Sequence, residues 1–150
     1  MKIKKFKEEN ANEVSQIIKE CFLNLNIRGH TKKGIELQIW GNSPENLINR
    51  SKTVKYFVAV ENNKIIGVCG YDKEKVHTLF VDINYQKKGI GKKLLNRILD
   101  EAQKDGIKSI KTWSTIYAKQ FYNSFGFKKV KEIELGKKDI ILIEMIKYFK

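Results

Sequence analysis

The stretch that most restricts what this chain can fold into is VHTLFVDINYQKKGIGKKLL, where a β-rich run passes through a short polar turn straight into a helix. Residues 76–83 read as a strand. Gln86, Lys87, Lys88, Gly89, Ile90, Gly91 and Lys92 make the turn, and Ile90, Leu94, Leu95, Ile98, Leu99 and Ala102 then fall on one helical face. The first N–H groups of a helix have no partner and carry partial positive charge, so a phosphate against this turn would collect several hydrogen bonds at once. Gly89 and Gly91 remove the Cβ atoms that would hold it off, and Lys87, Lys88, Lys92 and Lys93 add charge. Two other phosphate motifs do not fit. A P-loop needs a longer glycine spacing and Ser or Thr after its lysine, where this chain has Lys93. A dinucleotide fingerprint needs a third glycine and an acidic residue after the next strand. On its own, the turn reads either as a pyrophosphate cradle or as a plain tight turn carrying surface lysines.

The rest of the chain alternates strand and helix around this unit. Residues 2–6 form a short strand candidate. Val14, Ile17, Ile18, Cys21 and Phe22 recur at helical spacing, with Asn10 or Asn12 as cap. Residues 23–40 hold Gly29, Gly34 and a mixed apolar set, and read as irregular helix and loop. Ser43 before Pro44 is an N-cap with proline at the first helical position, opening a brief helix to Arg50. Residues 56–60 and 65–71, separated by the polar Glu61, Asn62, Asn63 and Lys64, form an antiparallel hairpin. After the central helix, stopped by Asp105 and Gly106, come a strand at 109–113, a helix at 116–125 ended by Gly126, and strands at 128–134 and 140–148. This order predicts one α/β (α+β) domain over residues 1–150, a mixed sheet with helices packed on its faces.

Composition bears on the surroundings more than on the fold. No segment reaches the roughly 20 apolar residues of a membrane span, and the N-terminal residues alternate charge with single apolar side chains, unlike a signal peptide. A soluble, cytoplasmic protein is the expectation. Cys21 and Cys69 sit in apolar patterns without metal-ligand spacing and are expected as buried core, with no metal site. Thirty Lys and Arg against seventeen Asp and Glu give +13, a field that draws polyanions of any kind. The lysines are scattered, with no contiguous basic tail.

Strand VHTLFVDINY, loop QKKGIGKKLL, strand IKTW and the run STIYAKQFYNSFGF resemble, in order and spacing, the two signature segments of the GNAT superfamily of acyl-CoA-dependent N-acyltransferases. The pair is Q-x-x-G-x-G, carried by Gln86, Gly89 and Gly91, and A-x-x-F-Y-x-x-x-G-F, carried by Ala118, Phe121, Tyr122, Gly126 and Phe127. Ile83 stands where proline is common in that family, Gln86 where arginine is commoner, and Thr115 where asparagine often contacts the cofactor. The resemblance implies a mostly antiparallel twisted sheet of about six or seven strands with helices on both faces. It also implies an N-acetyltransferase that binds acetyl-CoA and passes acetyl to a primary amine by direct attack on the thioester, acting as monomer or homodimer.

Residue roles follow from the same likeness. The turn residues Gln86 to Lys92 would hold the pyrophosphate, and Ser114 would line the cofactor site. The backbone of Leu79, Phe80 and Val81 would pair with the pantetheine arm like an added strand, with the Val81 N–H polarising the thioester oxygen. Tyr122 matches the tyrosine that protonates the departing thiolate, a task open to a phenol of ordinary pKa about 10. Its spacing with Ala118, Phe121 and Phe125 also fits a plain core face. For the base, His77 alternates with Leu79 and Val81 along the strand and titrates in the right range, while Asp72, Glu61 or Asp82 acting through water stay open. The acceptor, a small amine, amino acid or antibiotic, or a protein lysine or N-terminus, would be shaped by residues 23–50 and the closing hairpin. The basic field does not favour a polyamine unless Glu36, Glu45 or other acids gather locally. Two rival classes are a catalytically silent CoA-binding regulatory domain and a basic nucleic-acid-binding module, for which no reading motif is present.

Overall fold

The alternation of apolar side chains along two hairpin strands sets up a sheet with a core on each face. The computed structural model, describing Met1–Lys150, contains β1 (Lys2–Lys5), α1 (Ala11–Asn24), α2 (Lys32–Gly41), α3 (Pro44–Arg50), β2 (Lys55–Glu61), β3 (Lys64–Tyr71) and β4 (Lys75–Val81). It continues with α4 (Ile90–Lys104), β5 (Ser109–Ser114), α5 (Lys119–Ser124), β6 (Lys128–Leu135) and β7 (Ile140–Tyr148). The seven strands form one sheet in the order β1-β2-β3-β4-β5-β7-β6. Neighbours are antiparallel except β4 and β5, which run parallel. The expected mixed, mostly antiparallel architecture is the one observed.

On one face Phe57, Ala59, Ile66 and Cys69 pack with Leu94, Leu95, Ile98 and Ala102 of α4. On the other, Tyr56, Val58, Ile65 and Val68 meet Val14, Ile18, Cys21 and Phe22 of α1 and Leu47 of α3. On β2 residues two apart share a face, as the pleat requires, while on β3 a register shift at Ile66 puts the same-face pairs three apart. Each fully buried aliphatic side chain stabilises by about 1.5–3 kcal/mol, so these two layers hold the sheet between its helices. Cys21 and Cys69 are both buried, as expected. No helix is long and apolar enough to cross a membrane.

Three local departures from the expected elements decide the shape of the site. First, residues 32–41 form a regular helix where irregular structure was expected. The Thr31 hydroxyl accepts from the Gly34 N–H at 3.0 Å and donates to the Asp139 carboxylate at 2.7 Å, while the Thr31 N–H reaches the Asp139 carbonyl at 2.9 Å. A Cβ on Gly34 would stand 2.0 Å from that carbonyl oxygen. Helix α2 is therefore held against the β6–β7 turn by contacts that no local period could reveal. Second, β4 stops at Val81. The Asp82 carboxylate accepts from the Asn84 N–H at 2.8 Å and turns Ile83–Tyr85 into a single 3₁₀ turn. Third, α5 begins only at Lys119, because the Thr115 hydroxyl accepts from the Ala118 N–H at 3.2 Å and holds the preceding residues in a turn.

Candidate active site

Strands β4 and β5 are paired only at Lys75 with Lys111 and Val76 with Thr112, and beyond those pairs they diverge. The gap opens into a cleft of about 960 Å³, bordered by β4, the glycine turn, β5 and α5. On β4, the Asp82 N–H donates to the Ile66 carbonyl at 2.8 Å, which fixes the phase of the ladder with β3. Phe80 and Asp82 direct their backbone groups to β3, so Leu79 and Val81 direct theirs into the gap. The Val81 carbonyl is taken by the Gln86 side-chain amide at 2.6 Å and the Cys21 thiol at 3.2 Å. Its N–H faces the cleft. Gln86, expected beside the phosphate, lines the cleft, and its side-chain amide also clamps the end of β4, because the turn brings that amide back onto the Val81 carbonyl.

The glycine turn has the predicted form. Helix α4 starts after Gly89, which has φ +80° and so occupies the left-handed region where glycine avoids the Cβ penalty. The first intrahelical bond runs from the Lys93 N–H to the Gly89 carbonyl at 3.1 Å, and no side chain caps the helix. The N–H groups of Ile90, Gly91 and Lys92 are left without helical partners. A Cβ at Gly89 would meet nothing within 4 Å, and one at Gly91 would touch only Phe121 and Val81 at 3.7 Å. The protein itself therefore leaves this corner open. Lys87 and Lys92 line the cleft. Lys88 is not among the lining residues, its ammonium lying 5.2 Å from the Tyr85 ring centre.

Across the gap Ser114 is buried and donates its hydroxyl to the Thr115 carbonyl at 2.7 Å. Tyr122 lines the cleft from α5, 5% exposed and packed edge-on against Phe121 and Phe127. Burial, reinforced by the neighbouring Cys69 thiol and opposed by Thr112, pushes its phenol well above the ordinary tyrosine range. The side chain is thus both core and wall, and it stays protonated. The thiol of Cys21 is likewise raised, to about 12, chiefly by burial, which leaves it inert.

The far end of the cleft is shaped by a bulge that sequence reading missed. Val68 pairs with Phe80 but Gly70 pairs with His77, so β4 carries one extra residue opposite Cys69. Thr78 sits there with φ +57°, an unusual conformation for a β-branched side chain. The expected alternation of His77 with Leu79 and Val81 is broken as a result. Val76, Leu79 and Val81 pack on the α4 side and Phe80 packs on the α1 side, and the pleat turns His77, next to Val76, to the side of Phe80. There the imidazole Nε2 lies 2.8 Å from the Asp72 carboxylate. Burial lowers the His77 pKa below the usual histidine value, with Asp72 opposing. Burial alone would raise Asp72, but N–H groups of Lys75 and Glu74 and the imidazole outweigh it and hold that carboxyl below its usual range. Asp72, Glu61 and Asp82 all lie outside the cleft lining, and of the three only Asp72 contacts His77.

Thr78 is held by a polar group that no sequence signal marked. The Arg50 Nε donates to the Tyr56 hydroxyl at 2.6 Å, and that hydroxyl lies 3.0 Å from the Thr78 hydroxyl. Arg50 also donates to the Gly41 carbonyl, to the Asn42 side-chain oxygen and, at 3.4 Å, to Thr78. Arg50, Asn42 and Gln38 all line the cleft. They come from α2, the residue that caps its C-terminus, and α3, the region the sequence left least defined.

Comparison with known proteins agrees with this geometry. Residues 31–149 match the family model described as an acetyltransferase (GNAT) domain. An uncharacterized N-acetyltransferase of Methanocaldococcus jannaschii is 31% identical over 83 residues, a match covering 53% of this chain and 36% of that relative. The chain thus spans about a third of that protein's length. A GCN5-related N-acetyltransferase structure from Rhodopseudomonas palustris superposes with TM-score 0.90 at 13% identity, covering 99% of this chain and 95% of that one. The PaiA N-acetyltransferase of Thermoplasma acidophilum, solved in complex with coenzyme A, gives TM-score 0.82 at 22% identity over 99% and 98% of the two chains. With the family model spanning most of its length and the fold shared with solved members, the chain belongs to the GNAT family of acetyltransferases.

Proposed function

We propose that this acetyltransferase takes acetyl from acetyl-CoA and passes it to a primary amine. The observation that carries the reading is the meeting, in one cleft, of an uncapped helix N-terminus and a strand edge whose backbone groups face open space. Those features suit a long donor with a pyrophosphate at one end and amide groups along its arm. The donor supplies a thioester carbonyl and a thiolate leaving group. The N–H groups of Ile90, Gly91 and Lys92, with Lys87 and Lys92, bind the phosphates. Leu79 and Val81 offer backbone partners to the arm, and the Val81 N–H stabilises negative charge on the carbonyl oxygen. Tyr122, kept neutral by burial, donates its proton to the departing sulfur. His77, neutral at physiological pH and oriented by Asp72, accepts the proton of the attacking amine.

Thermal unfolding of the full chain with acetyl-CoA, CoA or duplex DNA, followed by thiol release across a panel of amines, tests this. A ligand at a hundred times its Kd stabilises by about 2.7 kcal/mol, which for a domain of this size is roughly 5–10 °C. The expected result is stabilisation by both coenzymes and acceptor-dependent thiol release. Stabilisation by DNA alone would replace the reading with a nucleic-acid-binding one. Coenzyme binding without turnover of any amine would leave only a silent CoA-binding domain.

A further inference from the structure

Of the 33 residues lining the cleft, none is Asp or Glu. Glu36 and Glu45, the acids that could have welcomed a polycation, are not among them. The cleft's cations are Arg50, Lys75, Lys87 and Lys92, and three of these have other positions to fill. Lys87 and Lys92 flank the glycine turn, and the Lys75 ammonium sits 3.5 Å from the centre of the Trp113 ring. That leaves Arg50 as the cation of the end where His77 and Thr78 lie.

Arg50 is unusual in its partners. Its guanidinium donates to Tyr56, Gly41, Asn42 and Thr78, all neutral groups, and it takes part in none of the six ion pairs of the structure. A half-buried charge is ordinarily paired with an opposite one, because neutral dipoles compensate only part of its lost hydration. Here the neutral partners lock the planar fork in place, and at least one of its five N–H groups is left over on Nη1. The remaining N–H can donate one charge-assisted hydrogen bond to a carboxylate.

We propose that the acceptor is a compact amino acid whose carboxylate is seated on Arg50 while its amine is presented toward His77. The inference rests on the acetyl-transfer reading and adds the class of acceptor to it. His77 and Thr78 are adjacent in the chain and Arg50 reaches Thr78 at 3.4 Å, so the two ends of the acceptor are separated by a short spacer. The +13 field of the whole chain repels a polyamine, whereas an amino acid, a zwitterion without net charge, is not held off.

The test compares kcat/KM of the full chain, by thiol release, for short amino acids, for their amides and for a polyamine. In parallel, N-acetyl amino acids and N-acetyl amino amides, the matching products, are titrated into the CoA complex. Amino acids are expected to exceed their amides by about tenfold or more in both readouts, as a charge-assisted pair would give. Arg50→Gln should bring the two to within about twofold, and Arg50→Lys should restore part of the gap. An unchanged thermal shift with acetyl-CoA certifies that each variant is folded. Equal treatment of acids and amides by the wild-type chain, or preference for the polyamine, overturns the proposal, and this comparison needs no variant to fold. If no amine is turned over, the transfer reading fails by itself. The titration then decides the seat: tighter binding of the acid supports it, and equal binding removes it.

Discussion

At the scale of single residues, the chemistry depends on two side chains whose environments pull them in opposite directions from ordinary values. Burial raises Tyr122 and lowers His77, so one keeps its proton and the other stays free of one near neutral pH. Tyr122→Phe keeps the ring that packs on Phe127 and loses the donor. It should reduce kcat by about a hundredfold or more while leaving the thermal shift with acetyl-CoA intact. Because the His77 pKa lies below 6.5, the acid limb of kcat/KM should fall below that pH. His77→Ala should abolish the limb. Asp72→Asn, which removes the partner that raises the imidazole pKa, should move the limb to still lower pH. The same depression makes the unfolded chain the better proton binder. The stability tied to His77 is therefore whole above about 6.5 and declines as pH falls through its folded value.

At the scale of elements, legibility in the sequence followed the range of the forces involved. The turn at Gly89 and the face of α4 were readable because capping and period act within a few residues. The hairpin of β2 and β3 was readable because alternation is local too. Helix α2 was not, since its N-terminus is anchored to Asp139, 108 residues away. Nor was the bulge at Thr78, which shows only in the pairing of β4 with β3 and which moved His77 to the opposite face from the one its spacing implied. Arg50 was visible only as the last residue of a short helix, and its value comes from the company of Tyr56, Asn42 and Thr78. Two glycine substitutions separate these cases. Gly89→Ala adds a side chain into open space but forces alanine into a left-handed backbone, a cost of about 1–2 kcal/mol. It should lower Tm by a few degrees and weaken coenzyme binding. Gly34→Ala collides with a backbone oxygen and should cost about 1–3 kcal/mol by overpacking. Because it displaces α2 from the β6–β7 turn, it should raise the acceptor KM while sparing coenzyme affinity, as separate titrations of the two substrates would reveal.

For the molecule as a whole, the positive field should make coenzyme association sensitive to ionic strength, with the on-rate falling as salt rises in stopped-flow mixing. The two-pair contact of β4 with β5 has a mechanical meaning as well. It divides the sheet into a leaf of β1–β4 and a leaf of β5, β7 and β6, stitched by a seam only two residues long. A ligand lying along that seam would act as a rivet between the leaves, carrying load that backbone pairing carries elsewhere in the sheet. Amide exchange along Leu79 to Val81 and at Ser114 should accordingly slow sharply when the coenzyme is bound. Under a protease or a pulling force, the empty protein should part along this line first, so that its lifetime rises and falls with the supply of its own substrate.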